Sequence, residues 1–266
     1  MPQIAAIQMT STRDVDANVA EATRLVGAAA AAGASLAILP ENFALMAGSR
    51  EQLLKAGEPS GAGPIQEAMG VAARTHGIWL VAGTIPVAAG DRVRAACIVY
   101  DDRGEPVARY DKIHLFDVVL RDGERHFESS AIEPGEEVVV TDSPVGRLGL
   151  SICYDLRFPE LYRRLLDLGA QVVAIPSAFT AFTGRAHWEP LVRARAIENL
   201  VYVVAAAQVG RHAQGRETYG HSMVVDPWGV VVAEQHDGPG VVTAGVDLER
   251  LEELRAQLPS RDHRRL

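Results

Sequence analysis

Gly33-Ala34-Ser35-Leu36-Ala37-Ile38-Leu39-Pro40 and Gly169-Ala170-Gln171-Val172-Val173-Ala174-Ile175-Pro176 share one frame. Each opens on Gly-Ala and reaches a proline seven positions after the glycine, across a short apolar run. Such a run, bounded by Gly and Pro, reads as a fully buried strand. Upstream of the first frame, residues 4–9 form another apolar run. A helical stretch then starts at Asp14 or Asp16 and continues to about Ala32, where Gly33 ends it. Upstream of the second frame, residues 148–153 read as a strand. Residues 159–168 read as a helix, with Pro159 suited to its first turn and Gly169 closing it. Strand, helix, strand in that order makes a parallel pair with a covering helix.

The correspondence continues downstream. Residues 64–76 predict a helix before a strand at 79–84, and residues 190–200 a helix before a strand at 202–207. Antiparallel strands follow in both places, joined by Asp101-Asp102-Arg103-Gly104 and by Asp226-Pro227-Trp228-Gly229, both β-turn sequences. The chain therefore reads as two similar halves of roughly 130 residues each. The helices of each half cover one face of its sheet. The continuous run Val201-Tyr202-Val203-Val204 makes the other face apolar as well, so the two sheets bury those faces against each other. The expected fold is α/β: a four-layer αββα sandwich of two mixed sheets, one domain over residues 1–266. Residues 248–258 predict a last helix. The tail 259–266, with Arg261, His263, Arg264 and Arg265, is expected to pack on a neighbouring subunit or stay solvated.

The balance of 26 Lys and Arg against 34 Asp and Glu, a formal charge of −8, argues against nucleic acid and anionic membranes as partners. The longest uncharged stretches, residues 26–40 and 171–184, are too short to span a bilayer and contain Gly and Pro. The start, Met1-Pro2-Gln3-Ile4, lacks the basic and apolar regions of a signal peptide. Two cysteines make no disulfide scaffold, and a cytoplasmic location is expected.

Three residues stand at strand ends, where ligands gather in open α/β sheets. Cys153 ends Leu150-Ser151-Ile152-Cys153 just before a helix, whose N-terminus is expected to favour the thiolate. It competes with the plainer reading of a buried structural cysteine. Glu41 follows Leu39-Pro40, where a carboxylate would equally cap a helix near Asn42. Lys112 follows a strand at 107–111. Cys97, by contrast, lies mid-strand and reads as a small core hydrophobe. A thiol, a base for its proton and a cation for an oxyanion suffice for amide hydrolysis. None of the eight histidines lies in a His-x-x-x-His setting, and there is no Gly-x-Gly-x-x-Gly or phosphate loop. Neither metal nor cofactor is expected.

Tyr110-Asp111-Lys112-Ile113-His114-Leu115-Phe116-Asp117, Ser151-Ile152-Cys153-Tyr154-Asp155-Leu156-Arg157-Phe158-Pro159-Glu160 and Leu39-Pro40-Glu41-Asn42 resemble the Lys, Cys and Glu motifs of the nitrilase superfamily of carbon–nitrogen hydrolases. Residues 176–180, 184–189, 193–198 and 219–229 extend the resemblance to nearly the whole chain, and they point to the Nit subgroup. The resemblance implies the αββα fold, a homodimer or larger homo-oligomer, and an amidase acting on deaminated glutathione through a Cys thioester. It implies that Cys153 is the nucleophile, Glu41 the general base and Lys112 the oxyanion cation, helped by the backbone N–H of Tyr154. Glu128, in Phe127-Glu128-Ser129-Ser130, matches the second glutamate of the superfamily. Arg157 is the first choice for a substrate anion, with Phe179, Thr180, Thr183 and His187 on the next strand-end loop. Arg157 would otherwise pair with Glu160 or Asp155, and His187-Trp188-Glu189 would otherwise be a helix anchor and a core aromatic. Residues 119–127 depart from the subgroup pattern. Rival readings are an ω-amidase for 2-oxoglutaramate or another small carboxylated amide, a nitrile-hydrolysing enzyme, and a non-catalytic binding protein on the same fold.

Overall fold

The computed structural model describes residues 1–119, 125–212 and 215–265. Residues 120–124 of the divergent segment and Leu266 of the tail lie outside these. The first half runs β1 (Gln3–Gln8), α1 (Val15–Ala31), β2 (Leu36–Ile38), a short α2 (Arg50–Lys55), α3 (Pro64–His76), β3 (Trp79–Val81), β4 (Ile85–Ala89), β5 (Arg92–Tyr100) and β6 (Pro106–Asp111). An antiparallel pair follows, β7 (Asp117–Val119) with β8 (Arg125–Phe127). The second half runs β9 (Val140–Thr141), β10 (Leu148–Leu150), α4 (Pro159–Asp167), β11 (Val172–Ala174), α5 (Ala181–Asn199) and β12 (Tyr202–Ala205). It closes with β13 (Val209–Arg211), β14 (Glu217–Tyr219), β15 (Ser222–Val225), β16 (Val231–Gln235), β17 (Gly240–Gly245) and α6 (Leu248–Gln257).

Among the described residues, the first sheet has the order β17-β1-β2-β3-β5-β4, with β6 also on β5. The second has the order β16-β15-β12-β11-β10-β9. The parallel centres match: Ile4 lies opposite Leu36 in one half and Leu148 opposite Val172 in the other. Side chains alternate across each strand. Ala5, Ile7, Ala37 and Leu39 pack in a core with Leu25 and Val26 of α1 and Met69 of α3. Ile4, Ala6, Leu36 and Ile38 join a second core with Leu150, Val203 and Val225 of the other sheet and Tyr162 and Trp188 of its helices. Helix, sheet, sheet, helix is thus the layer order. Burying a Val, Leu, Ile, Phe or Met side chain contributes about 1.5–3 kcal/mol, so the sheet–sheet interface is a main source of stability. Both predicted turns form, with Gly104 N–H donating to Asp101 C=O and Gly229 N–H to Asp226 C=O. No helix among the described residues is long and apolar enough to cross a membrane.

Three features depart from the sequence reading. The halves are not self-contained, because β17 leaves the second half and pairs antiparallel with β1 from Gln3↔Gly245 to Gln8↔Gly240. It covers what would be an open sheet edge. Helix α5 begins nine residues before Pro190 and runs through it. Its start is set by Thr180, whose side chain accepts from Thr183 N–H, a cap stronger than the proline signal. Strand β10 ends at Leu150 instead of Cys153, and a 3₁₀ turn occupies Cys153–Arg157. The tail residues 260–265 are exposed, and Arg264 pairs with Asp167 at the end of α4.

Candidate active site

Glu41 lies in the turn after β2, where no helix begins, and Asn42 takes a positive φ of 58°. Asparagine tolerates that region better than most residues. Asn42 N–H donates to Thr84 Oγ1 at 2.8 Å. Lys112 follows β6 and is tied to the sheet through its N–H to Ala95 C=O, 3.1 Å. Gly135 N–H donates to Lys112 C=O at 2.8 Å; a Cβ at Gly135 would lie 2.1 Å from Asp111 O, so only glycine fits there. The side chains of Glu41 and Lys112 are buried and meet at 2.7 Å (Nζ to Oε1). Glu128 binds the same Nζ with both carboxylate oxygens at 2.9 Å and accepts from Phe116 N–H at 2.7 Å.

Cys153 enters its 3₁₀ turn with φ 45°, a left-handed conformation that non-glycine residues seldom adopt. Its N–H donates to Pro176 C=O at 2.9 Å. What holds the strain is Asp155, fully buried. Its carboxylate accepts from Ile152 N–H (2.8 Å), Tyr110 O–H (2.6 Å), His114 N–H (3.0 Å) and His114 Nδ1 (2.7 Å). One carboxylate therefore ties the Cys153 turn to the loop that follows Lys112. Stacked rings of His114 and Phe158 (3.8 Å) and edge contacts of Tyr154 with Phe116 and Phe158 reinforce the join.

Burial pushes the Cys153 thiol well above its ordinary pKa, and the charge of Glu41 adds to the rise. Lys112 and the backbone N–H of Ala178 pull downward without prevailing, while Glu41 as acceptor for the thiol proton favours the neutral form. The thiolate expected of a helix N-terminus does not form, because a five-residue 3₁₀ turn has too small a dipole to outweigh burial and an adjacent carboxylate. Lys112 is the opposite case. Burial opposes its charge, but Glu128 and Glu41 outweigh burial and hold the ammonium protonated. The arrangement offers a neutral thiol beside a buried base, and beside that a permanent cation.

These groups line a cavity of about 340 Å³. Tyr154, Arg157, Phe179, Thr180 and Thr183 also line it; His187 does not. His187 is exposed and reaches the site only by accepting from Arg157 Nη1 at 3.2 Å. The Arg157 guanidinium lies over the Phe179 ring at 5.1 Å, and neither Glu160 nor Asp155 is its partner among the described hydrogen bonds. Trp188 is a core aromatic, fully buried, donating to His221 C=O. Cys97 is buried mid-strand, its thiol raised by desolvation and by Asp111. Away from the cavity, His221, Glu234 and His236 bring ligand-type atoms within 4.8 Å of one another.

The family model for carbon–nitrogen hydrolases matches residues 3–256. The chain belongs to the carbon–nitrogen hydrolase family. Within that family it is 43% identical over 266 residues to a deaminated glutathione amidase of Synechocystis, covering 98% of this chain and 97% of the relative. The NitFhit protein of C. elegans superposes with a TM-score of 0.90 at 39% identity, over 99% of this chain and 65% of that longer one. Nit3 of Saccharomyces cerevisiae, a member of branch 10 of the nitrilase superfamily, gives a TM-score of 0.87 at 32% identity, over 97% of this chain and 94% of its own. This carbon–nitrogen hydrolase has the nitrilase fold.

Sequence reading passed over two residues that position the site. Asp155 stood inside the quoted Cys motif but was considered only as a surface partner for Arg157. Gln208, fully buried, donates to Glu41 C=O (3.1 Å) and Ser11 Oγ (2.7 Å) and accepts from Ser11 N–H (2.9 Å). Its signal was a lone amide closing the apolar run Val203-Val204-Ala205-Ala206-Ala207.

Proposed function

We propose that the protein is an amidase that hydrolyses deaminated glutathione, with Cys153 as nucleophile, Glu41 as general base and Lys112 as oxyanion cation. The observation that carries the reading is the buried Glu41–Lys112 pair, joined by Glu128, beside the neutral thiol of Cys153 in one cavity. The near-full-length likeness to relatives of that name supports the substrate. Glu41 takes the thiol proton as the sulfur bonds to the amide carbon, and the carbonyl electron pair moves to oxygen. Lys112 and the N–H of Tyr154, near the start of its turn where helical N–H groups lack internal acceptors, face that oxyanion. Collapse breaks the C–N bond, and the amine leaves with the proton held by Glu41. Water then gives a proton to Glu41 as it attacks the thioester, and the second collapse returns a proton to sulfur and frees the acid. Glu128 fixes the Lys112 ammonium from its far side.

A cytoplasmic setting is supported by the two free cysteines. A homodimer or larger assembly is supported by neighbouring apolar side chains left exposed at Ile197, Trp228 and Val230. Incubating the purified protein with deaminated glutathione tests the activity. The expected result is equimolar release of 2-oxo acid and cysteinylglycine, abolished in Cys153→Ala. No release by the unmodified protein, or full release by Cys153→Ala, would overturn the proposal. A kcat/KM higher for 2-oxoglutaramate than for deaminated glutathione would assign an ω-amidase instead.

A further inference from the structure

The three ligand-type side chains away from the cavity come from one hairpin. Ser222 of β15 lies opposite Gln235 of β16, and Met223 lies opposite Glu234. That register sets His221 across from His236. Residues two apart on a strand share a face, so His221, Glu234 and His236 share one. Both imidazoles turn to the same carboxylate oxygen: Glu234 Oε1 lies 2.6 Å from His221 Nδ1 and 3.5 Å from His236 Nδ1. An ordinary ion pair needs one of these rings, and the second adds a convergent nitrogen. No helical His-x-x-x-His spacing brings the set together; the pairing of two strands does.

His221 sits on a rigid mount. Its φ is 57°, and Gly220 before it is at 74°. A non-glycine residue keeps that conformation only where its surroundings enforce it. Trp188 Nε1 donates to the His221 C=O at 2.8 Å, and the Tyr219 ring stacks on the imidazole with centroids 4.3 Å apart. Gln8, fully buried in β1, reaches both arms of the hairpin. Its Oε1 accepts from Ser222 N–H at 2.8 Å, and its Nε2 donates to Gly238 C=O at 2.9 Å. One amide of the first sheet thus fixes the residue after His221 and the turn after His236. The side chains of His221 and Glu234 are half-buried, while that of His236 is 67% exposed and free to rotate.

Ligands at the usual zinc distances of about 2.0–2.2 Å stand about 3.3–3.5 Å from one another around a tetrahedral ion. The three ligand atoms here all lie within 4.8 Å of one another, so a turn of the exposed His236 side chain closes them on one point. Two imidazoles with one carboxylate suit zinc, whereas calcium and magnesium take shells of oxygen. We propose that His221, Glu234 and His236 form a zinc site at the end of the β15–β16 hairpin, with water in the fourth position. The ion replaces the proton that His221 Nδ1 gives to Glu234. It cross-links two strand ends that Gln8 already ties to β1. None of the three residues lines the cavity, so the site is independent of the amidase reading.

Calorimetric titration of zinc chloride into metal-free Cys153→Ala protein tests this, in a background that removes the cavity thiol as a competing ligand. One ion should bind per chain, and the melting temperature should rise by about 5 °C at a hundredfold excess over Kd. His236→Ala alters an exposed side chain and should weaken binding by more than about 10²-fold, because even the groups that orient a ligand are worth about 10–100-fold. Glu234→Gln, which keeps the shape of the side chain, should weaken it comparably. Cobalt(II) is the second probe. Its visible absorption should have the intensity of a tetrahedral centre in the parent and lose it in both variants. Absence of zinc binding by the parent overturns the site, as does binding that is equally tight in His236→Ala and Glu234→Gln. Magnesium or calcium bound as tightly as zinc overturns the assignment to a nitrogen-ligated metal.

Discussion

Met9 and Cys153 occupy the same place in the two halves. Ile4 faces Leu36 in one sheet and Leu148 faces Val172 in the other. Five residues past those pairs lie Met9 and Glu41 in the first half, and Cys153 and Ser177 in the second. Met9 keeps to the strand line: its N–H donates to Ala207 C=O, its C=O accepts from Val209 N–H, and its side chain is buried in a core. Cys153 leaves the strand line at a positive φ and turns its sulfur to the cavity. Glu41 is the polar member of its pair, and the Ser177 hydroxyl donates back to Ile175 C=O. Each half thus builds one strand end for chemistry and uses the other for closure, and the working ends come from different halves. A symmetric fold yields an asymmetric site because Asp155 stabilises a turn in the second half that the first half replaces with a stitched strand.

Five experiments break or sharpen this contrast, in falling order of effect. Cys153→Ala should lower kcat by at least about 10⁴-fold with the fold kept, read by turnover and near-UV circular dichroism. Glu41→Gln should lower kcat by about 10²–10⁴-fold, the usual worth of a general base. Lys112→Met leaves the buried Glu41 and the half-buried Glu128 without their cation and should cost about 3–5 kcal/mol in urea unfolding. Gln208→Leu removes the clamp on Ser11 and Glu41, so a loss of about 1–3 kcal/mol is expected, with a lower kcat as Glu41 drifts. Met9→Leu, at the position equivalent to Cys153, should cost less than about 1.5 kcal/mol and leave turnover unchanged; a large loss there would show that the two strand ends are not independent.

A pH experiment compares the two cysteines. Both thiols titrate above the ordinary 9.0 in the folded chain, chiefly because burial disfavours their charge. Unfolding therefore releases their protons once the pH passes that value. The stability contributed by the neutral buried thiols is complete below pH 9.0 and declines as pH rises toward the folded-state values. Urea midpoints on either side of pH 9 should show a shallower decline in Cys97→Ala than in the unmodified protein.

The repeat frame was legible because each Gly-to-Pro run is bounded by residues that end helices and strands locally, and the parallel centres follow from it. That Glu41, Lys112 and Cys153 would meet was legible because each stands beyond a strand within a specific motif. Chain crossings were not. The β17 segment 240–245 reads as one more β-prone stretch, and its partner is decided by which sheet edge is left open, a property of the assembled molecule. The length of α5 was hidden by Pro190, which reads as a helix start although the local cap at Thr180 begins the helix nine residues earlier. The charge state of Cys153 was missed because sequence shows the helix after the thiol but not the carboxylate against it. Gln208 does its work across most of the chain length, on Ser11 and Glu41, where local pattern carries no signal.

The placement of β17 against β1 has a further consequence for how the protein is made. During synthesis the first sheet keeps an open flank until residues 240–245 emerge from the ribosome, some 230 residues after the strand they must join. The long-lived edge of the nascent chain is β1, and the last strand made is the one that seals it, so this is where a chaperone would be needed.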